Sequence, residues 1–199
     1  MRIVRWLVAV LCVVTPVAAQ NVIEWSSDRL LSKDDFKGRV PPSAPNASLS
    51  WLNIDASWEC EAGELIATAR ATFDPSRSWW RTPQGNIWES VERTSNVSRT
   101  HVDARRSMLQ RDLQLLEHEQ LHFDLTEVAV RRIRKRFVDL KDACADPERK
   151  EDLREAIAEI DRELQTQQSV YDRETAHGTN AAAQDRWKQR IRKELDKPD

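Results

Sequence analysis

The sequence predicts an α+β protein in which a small N-terminal antiparallel β sheet packs on two or three long C-terminal helices. In the N-terminal half, apolar and polar residues alternate, which is typical of half-buried strands. From about residue 102 onward, apolar residues recur at steps of three and four, which is typical of amphipathic helices. We therefore expect a β-rich region over residues 21–96 and a helical region over residues 100–196. Both belong to a single domain of residues 20–199.

The strand pattern is clearest in two neighbouring runs, residues 49–58 and residues 65–73. Each run places apolar or small side chains at every second position. The segment Glu61–Glu64 between them contains Gly63 and is typical of a hairpin connection. Asp74-Pro75 ends the second run, because proline cannot donate a hydrogen bond to a neighbouring strand. These runs predict two paired antiparallel strands.

The helical region divides into three predicted helices. Asp146-Pro147 ends the first helix, since proline is disfavoured inside a helix and favoured at its first turn. Gly178-Thr179-Asn180 interrupts the pattern again, and a third helical stretch follows over residues 181–195.

The N-terminus has the three-part layout of a secretory signal peptide. Arg2 and Arg5 precede an apolar run from Leu7 to Val14, and Val17-Ala18-Ala19 offers small residues for cleavage. We therefore predict a signal peptide over residues 1–19 and a secreted or periplasmic mature chain. An uncleaved membrane anchor is the alternative.

Charge and cysteine content limit the function classes. Removing residues 1–19 leaves 29 of the 31 basic side chains against 33 acidic ones, a net charge of −4. This balance argues against nucleic acid as a partner. No later segment is apolar enough to span a bilayer stably. Cys60 and Cys144 remain, and they form either one disulfide in an oxidising compartment or two free thiols.

The chemistry-bearing motif is His118-Glu119-Gln120-Leu121-His122. Residues four apart share one face of a helix, so His118 and His122 can bind one metal ion. Glu119 lies beside them, where a carboxylate can accept a proton from a water activated by Zn²⁺. The alternative is that both histidines are structural residues of the core, with hydrogen bonds to other protein groups and no metal ion.

A catalytic zinc ion usually takes a third protein ligand. The segment Tyr171–Gly178 supplies the candidates. We favour His177 as the ligand because zinc accepts imidazole readily and the helix ends here. Glu174 is the alternative ligand, or it accepts a hydrogen bond from a ligand histidine. Tyr171 is either part of the core or a stabiliser of the oxyanion in a tetrahedral intermediate.

Several segments together resemble a known bacterial family. They are Trp25–Leu30, Asp35–Gly38, Phe73–Trp79, Leu115–Asp124 and Tyr171–Gly178, with Gln184 and Trp187. The chain resembles the bacterial domain-of-unknown-function family 922, often described as secreted zinc-dependent proteases. The resemblance implies secretion in a bacterium and pairs the Tyr171–Gly178 segment with His118 and His122.

The sequence therefore predicts a secreted zinc-dependent hydrolase, most simply a metallopeptidase. Zn²⁺ is held by His118, His122 and His177, and Glu119 is the general base. The expected partner is a peptide or protein substrate. The main alternative is a non-catalytic periplasmic metal-binding or envelope-associated module. A structural helical protein without metal is the third class.

Overall fold

A computed structural model describes residues 22–81 and 99–198. The signal peptide predicted for residues 1–19 lies outside the described residues. The described residues combine small antiparallel sheets in the N-terminal part with three long helices in the C-terminal part. The predicted α+β fold class is therefore confirmed.

The strands of the described residues form two antiparallel sheets. Their order along the chain is β1 (Ile23–Glu24), β2 (Ser48–Leu49), β3 (Leu52–Glu61), β4 (Glu64–Phe73) and β5 (Trp79–Trp80). In the larger sheet β4 lies between β1 and β3, and in the smaller sheet β2 pairs with β5. The predicted hairpin is the β3–β4 pair, closed by Ala62 and Gly63 with φ of 50° and 87°. Two consecutive residues with positive φ are what a two-residue hairpin turn requires.

Three helices follow: α1 (Arg99–Asp139), α2 (Pro147–Thr175) and α3 (Ala181–Leu195). The breaks between them have local causes. Asp146 caps α2 by accepting a hydrogen bond from the Glu148 N–H, and Pro147 occupies the first turn. Asn180 caps α3 by accepting from the Ala183 N–H. None of the helices in the described part of the chain is long and apolar enough to cross a membrane.

Helix α1 is central to the packing, because it contacts β4 as well as both α2 and α3. Phe73 of β4 and Phe123 of α1 are buried together, with ring centroids 6.1 Å apart. Polar groups are also built into this interface. Asp124 of α1 accepts hydrogen bonds from Trp25 Nε1 at 2.9 Å and from Gln120 Nε2 at 2.7 Å. The N-terminal segment is thereby fixed on the helix that carries the His-Glu-x-x-His motif.

A disulfide joins Cys60 to Cys144, with their Cα atoms 5.6 Å apart. It connects the end of β3 to the 3-10 helix Lys141–Ala145 that precedes α2. Strand β3 and helix α2 are therefore linked covalently at one end. At their other ends, β3 begins and α2 finishes beside the motif on α1.

Candidate metal centre

His118 and His122 lie one turn apart on α1, and their rings converge. The two Nε2 atoms are 3.0 Å apart, and the exposed fractions of the side chains are 3% and 12%. A hydrogen bond between these two nitrogens requires that one of them offers a lone pair, because two N–H groups cannot donate to each other.

Asp172 of α2 supplies a third donor atom. Its Oδ1 lies 3.1 Å from His118 Nε2 and 3.0 Å from His122 Nε2. These three atoms form the one group of potential ligands with metal-binding spacing among the described residues. For tetrahedral zinc with bonds of 2.0–2.1 Å, ligand atoms are about 3.3 Å apart. The observed spacing and the two-imidazole, one-carboxylate donor set therefore fit a zinc ion.

The orientation of the His122 ring is set by Gln168 of α2. His122 Nδ1 donates a hydrogen bond to Gln168 Oε1, while Gln168 Nε2 donates to the His122 carbonyl oxygen at 2.9 Å and to Thr126 Oγ1 at 3.3 Å. The two donated bonds determine which way the amide points. With its proton on Nδ1, His122 presents the Nε2 lone pair to the cluster, as a metal ligand must.

His118 is held mainly by packing. The Tyr171 ring stacks on it at 4.7 Å with an interplanar angle of 20°. Gly178 also packs closely against His118, because a Cβ atom at this position would come within 2.9 Å of His118 Cβ. Gly178 also has φ of 82°, a conformation that favours glycine. His118 Nδ1 is buried and has no hydrogen-bond partner within residues 22–81 and 99–198.

The structure separates the candidates of the Tyr171–Gly178 segment. His177 Nδ1 lies 3.3 Å from Asp172 Oδ1, and its side chain is 60% exposed. Glu174 is directed to α3, where its Oε2 accepts a hydrogen bond from Trp187 Nε1 at 2.8 Å. Tyr171 is fully buried, and its hydroxyl donates to the His118 carbonyl oxygen at 3.4 Å. His177 is therefore next to the cluster, and Tyr171 lies beneath it.

Glu119 is buried beside the cluster, and two serines hold it. Ser48 Oγ donates to one carboxylate oxygen and Ser50 Oγ to the other, each at 2.5 Å. Ser48 is in β2, whose pairing with Trp79–Trp80 fixes its position. Each carboxylate oxygen can accept two hydrogen bonds. One lone pair on each oxygen therefore remains for a further donor.

Burial and neighbouring charges shift the pKa values of all three residues in the cluster. Burial lowers the pKa of His118 below its ordinary value and outweighs the hydrogen bond with Asp172. Burial also acts to lower the pKa of His122, but the hydrogen bond with Asp172 and the charge of Glu119 prevail and raise it. Burial acts to raise the pKa of Asp172, yet its hydrogen bonds with both histidines hold it well below its usual range. Of the two histidines, His122 therefore holds a proton to the higher pH.

The cluster opens into a cleft of about 1090 Å³. Strand β3 forms one wall and helix α2 the other, with His118, Glu119 and His122 at the base. His177 and Thr179 line the same cleft. A ligand lying in the cleft thus reaches the donor atoms and the Glu119 carboxylate together.

Comparison with protein families supports the resemblance in part: it covers the segments Phe73–Trp79, Leu115–Asp124 and Tyr171–Gly178, and the other segments quoted for it lie outside the matched range. The model of the family described as "Bacterial protein of unknown function (DUF922)" matches residues 61–178, more than half of the chain. The chain belongs to the DUF922 family. The match includes His118, Glu119, His122 and Asp172 and ends at Gly178. No curated protein and no solved structure matches the chain. The DUF922 description names no activity, so hydrolysis stays a prediction.

Sequence reasoning missed four residues that surround this DUF922 site: Asp172, Gln168, Ser48 and Ser50. For the first two a signal was present. Gln168 and Asp172 are four residues apart on one helix and therefore share a face. For the serines no comparable signal exists, because their short side chains lie in a segment rich in serine, proline and asparagine.

Proposed function

We propose that this protein is a zinc-dependent hydrolase that cleaves peptide bonds. His118, His122 and Asp172 would hold the metal. The observation that carries the proposal is the convergence of their three donor atoms within 3.1 Å of one another, beside a buried carboxylate at the base of a cleft. A bound zinc ion lowers the pKa of a coordinated water to about 7 and polarises a carbonyl group.

The chain's own residues have separate roles in the proposed reaction. Glu119 accepts the proton of the attacking water at a free lone pair and passes it to the leaving nitrogen. The serines at positions 48 and 50 keep its carboxylate in place while this happens. His177 lies at the open side of the cluster, where a ring N–H can donate to the oxyanion of the tetrahedral intermediate.

The proposal includes export from a bacterial cell. The signal-peptide layout of residues 1–19 supports it. So does the disulfide between Cys60 and Cys144, because such bonds persist in oxidising compartments. We accordingly expect a secreted or periplasmic peptidase acting on peptide or protein substrates.

Zinc titration of single variants tests the ligand set. Asp172→Ala should weaken zinc binding by more than about 100-fold. A loss of this size exceeds the usual effect of removing a residue that only hydrogen-bonds to a metal ligand. His177→Ala should retain zinc and lower the rate of hydrolysis. Glu174→Gln is the matched control, because its carboxylate faces Trp187 instead of the cluster. If His177→Ala releases zinc and Asp172→Ala does not, the ligand assignment is wrong.

Substitution of Glu119 separates an enzyme from a metal-binding module. Glu119→Gln should keep zinc affinity within a few-fold and reduce peptide hydrolysis by at least about 100-fold, the scale of general base catalysis. The assay is cleavage of a peptide library followed by mass spectrometry. A wild-type protein that binds zinc tightly but cleaves nothing would favour the non-catalytic module.

A further inference from the structure

Within the part of the chain that the structure describes, the outer edge of β3 has no strand paired with it along the cleft. In the three-stranded sheet β4 is central, so β1 and β3 are the edges. Among residues 22–81 and 99–198, no strand pairs with the side of β3 that faces away from β4. An edge of this length presents backbone N–H and C=O groups on which another chain can pair.

The register shows which backbone groups are free. Antiparallel partners alternate between hydrogen-bonded and non-hydrogen-bonded pairs. Asp74 N–H donates to Trp51 O at 2.9 Å, and on the far side of β4 Trp25 N–H donates to Ala71 O at 3.0 Å. The backbone groups of Ala71 therefore point towards β1 and away from β3. Because Ala71 is opposite Ile54, these two residues form a non-hydrogen-bonded pair between β3 and β4. The residues whose backbone groups point outward are therefore Leu52, Ile54, Ala56 and Trp58.

The same four residues place their side chains in the cleft. Opposite them, Ile157, Ala158 and Leu164 of α2 also line it. The cleft thus has a mostly apolar wall on β3 and a mixed wall on α2, where Asp161 and Gln165 lie among the apolar side chains. The outward backbone groups of β3 run along the first wall. At the end far from the metal cluster, the Arg154 guanidinium lies 5.5 Å from the Trp58 ring centroid.

We propose that an extended peptide segment pairs with the free edge of β3 and lies in this cleft. Added as an antiparallel strand about 4.8 Å from β3, it would continue the sheet over α2. Its main chain then runs from Trp58 towards Leu52, a distance of about 20 Å, and carries a peptide bond to the cluster. This inference rests on the proposed function, because it specifies how the substrate of that site is held.

A peptide fits this edge better than a second copy of the chain. The exposed side chains of β3 include Glu59 and Glu61, and no lysine or arginine lies on the strand, while Asp55 is already paired with Arg70 of β4. Pairing of two β3 edges would bring these acidic side chains together, and like charges on adjacent strands are destabilising. An incoming peptide with small or apolar residues meets no such repulsion.

Backbone methylation of a probe peptide tests the pairing directly. The probe is a short end-blocked peptide of alternating valine and alanine, and the protein is zinc-loaded Glu119→Gln, which should not cleave it. Methylating the amides one at a time should weaken binding by at least about tenfold at every second position, because only those amides donate to β3. Equal losses at all positions, or no binding at about 1 mM probe, would overturn the proposal.

A proline on β3 gives the protein-side test. Ala56→Pro removes one outward N–H and leaves the β4 pairing intact, since Ala56 belongs to the non-bonded set. It should weaken probe binding at least about fivefold without changing zinc affinity. If it instead dissociates a dimer of the wild-type chain, the edge belongs to a second copy and the proposal fails. If peptides are never cleaved but the alternating pattern appears, the hydrolase proposal fails and the pairing stands.

Discussion

Replacing Gln168 with leucine removes three hydrogen bonds on the α1–α2 contact and leaves the metal ligands unchanged. The bond from His122 Nδ1 is the important one, because it fixes the ring so that Nε2 faces the cluster. Residues that orient a ligand histidine in this way usually contribute 10- to 100-fold to metal affinity, or about 1.4–2.7 kcal/mol. We therefore expect Gln168→Leu to weaken zinc binding by that amount. Glutamate at this position keeps an acceptor for Nδ1 and should preserve most of the affinity.

The assay is competition for zinc against a chromogenic chelator at fixed pH. Gln167→Leu is the matched control, because that side chain is exposed on the neighbouring position of α2. Folding is checked by circular dichroism, so that a loss of structure is not mistaken for weaker binding. If Gln168→Leu binds zinc like the wild type, or if the glutamate variant is as weak as the leucine variant, the proposed role of this amide is wrong.

Three further predictions concern stability and the site. Replacing Cys60 and Cys144 with serine should lower the free energy of unfolding by about 4–5 kcal/mol, because the disulfide closes a loop of 84 residues in the unfolded chain. Equal denaturant midpoints for the wild type and the variant would contradict this. Gly178→Ala should cost at least about 1 kcal/mol of stability and should weaken zinc binding, because φ is positive here and the new Cβ would displace His118. Calorimetry measures the stability and zinc titration measures the affinity. Unchanged values of both would refute the packing argument. Burial raises the pKa of Asp124, so its contribution to stability is full below its unfolded pKa and is lost as the pH rises through the folded pKa. Asp124→Asn should therefore raise Tm at pH 7 but not below about pH 4, and a Tm difference independent of pH would exclude this cause.

The elements of the fold were predictable where one local pattern dominates. Alternation in residues 49–58 and 65–73 indicated the hairpin, because a half-buried strand must separate its two faces. Asp146-Pro147 marked the start of α2, since Asp caps and Pro fits the first turn. The short strands β1, β2 and β5 could not be predicted. A strand of two residues is too short to show an alternation of apolar and polar side chains. Only its pairing with a distant segment makes it a strand.

The site was predictable to the extent that one helix determines it. His118, Glu119 and His122 have a fixed spacing on α1, so their relation follows from helix geometry. The third donor atom depends on how α2 packs on α1. Asp172 and Glu174 are two residues apart and therefore face different neighbours: one faces the histidines, the other Trp187. No local rule distinguishes their partners, because rotation of α2 about its axis is set by side-chain packing along the helix.

The opposed pKa shifts of the two histidines bear on how a metal ion would bind. Because the pKa of His118 is lowered and that of His122 is raised beside Asp172, His122 holds a proton to a higher pH than His118 does. A metal ion can bind His122 Nε2 only when that nitrogen has lost its proton. If the three donor atoms hold zinc as proposed, zinc uptake should therefore release a proton and should strengthen as the pH rises.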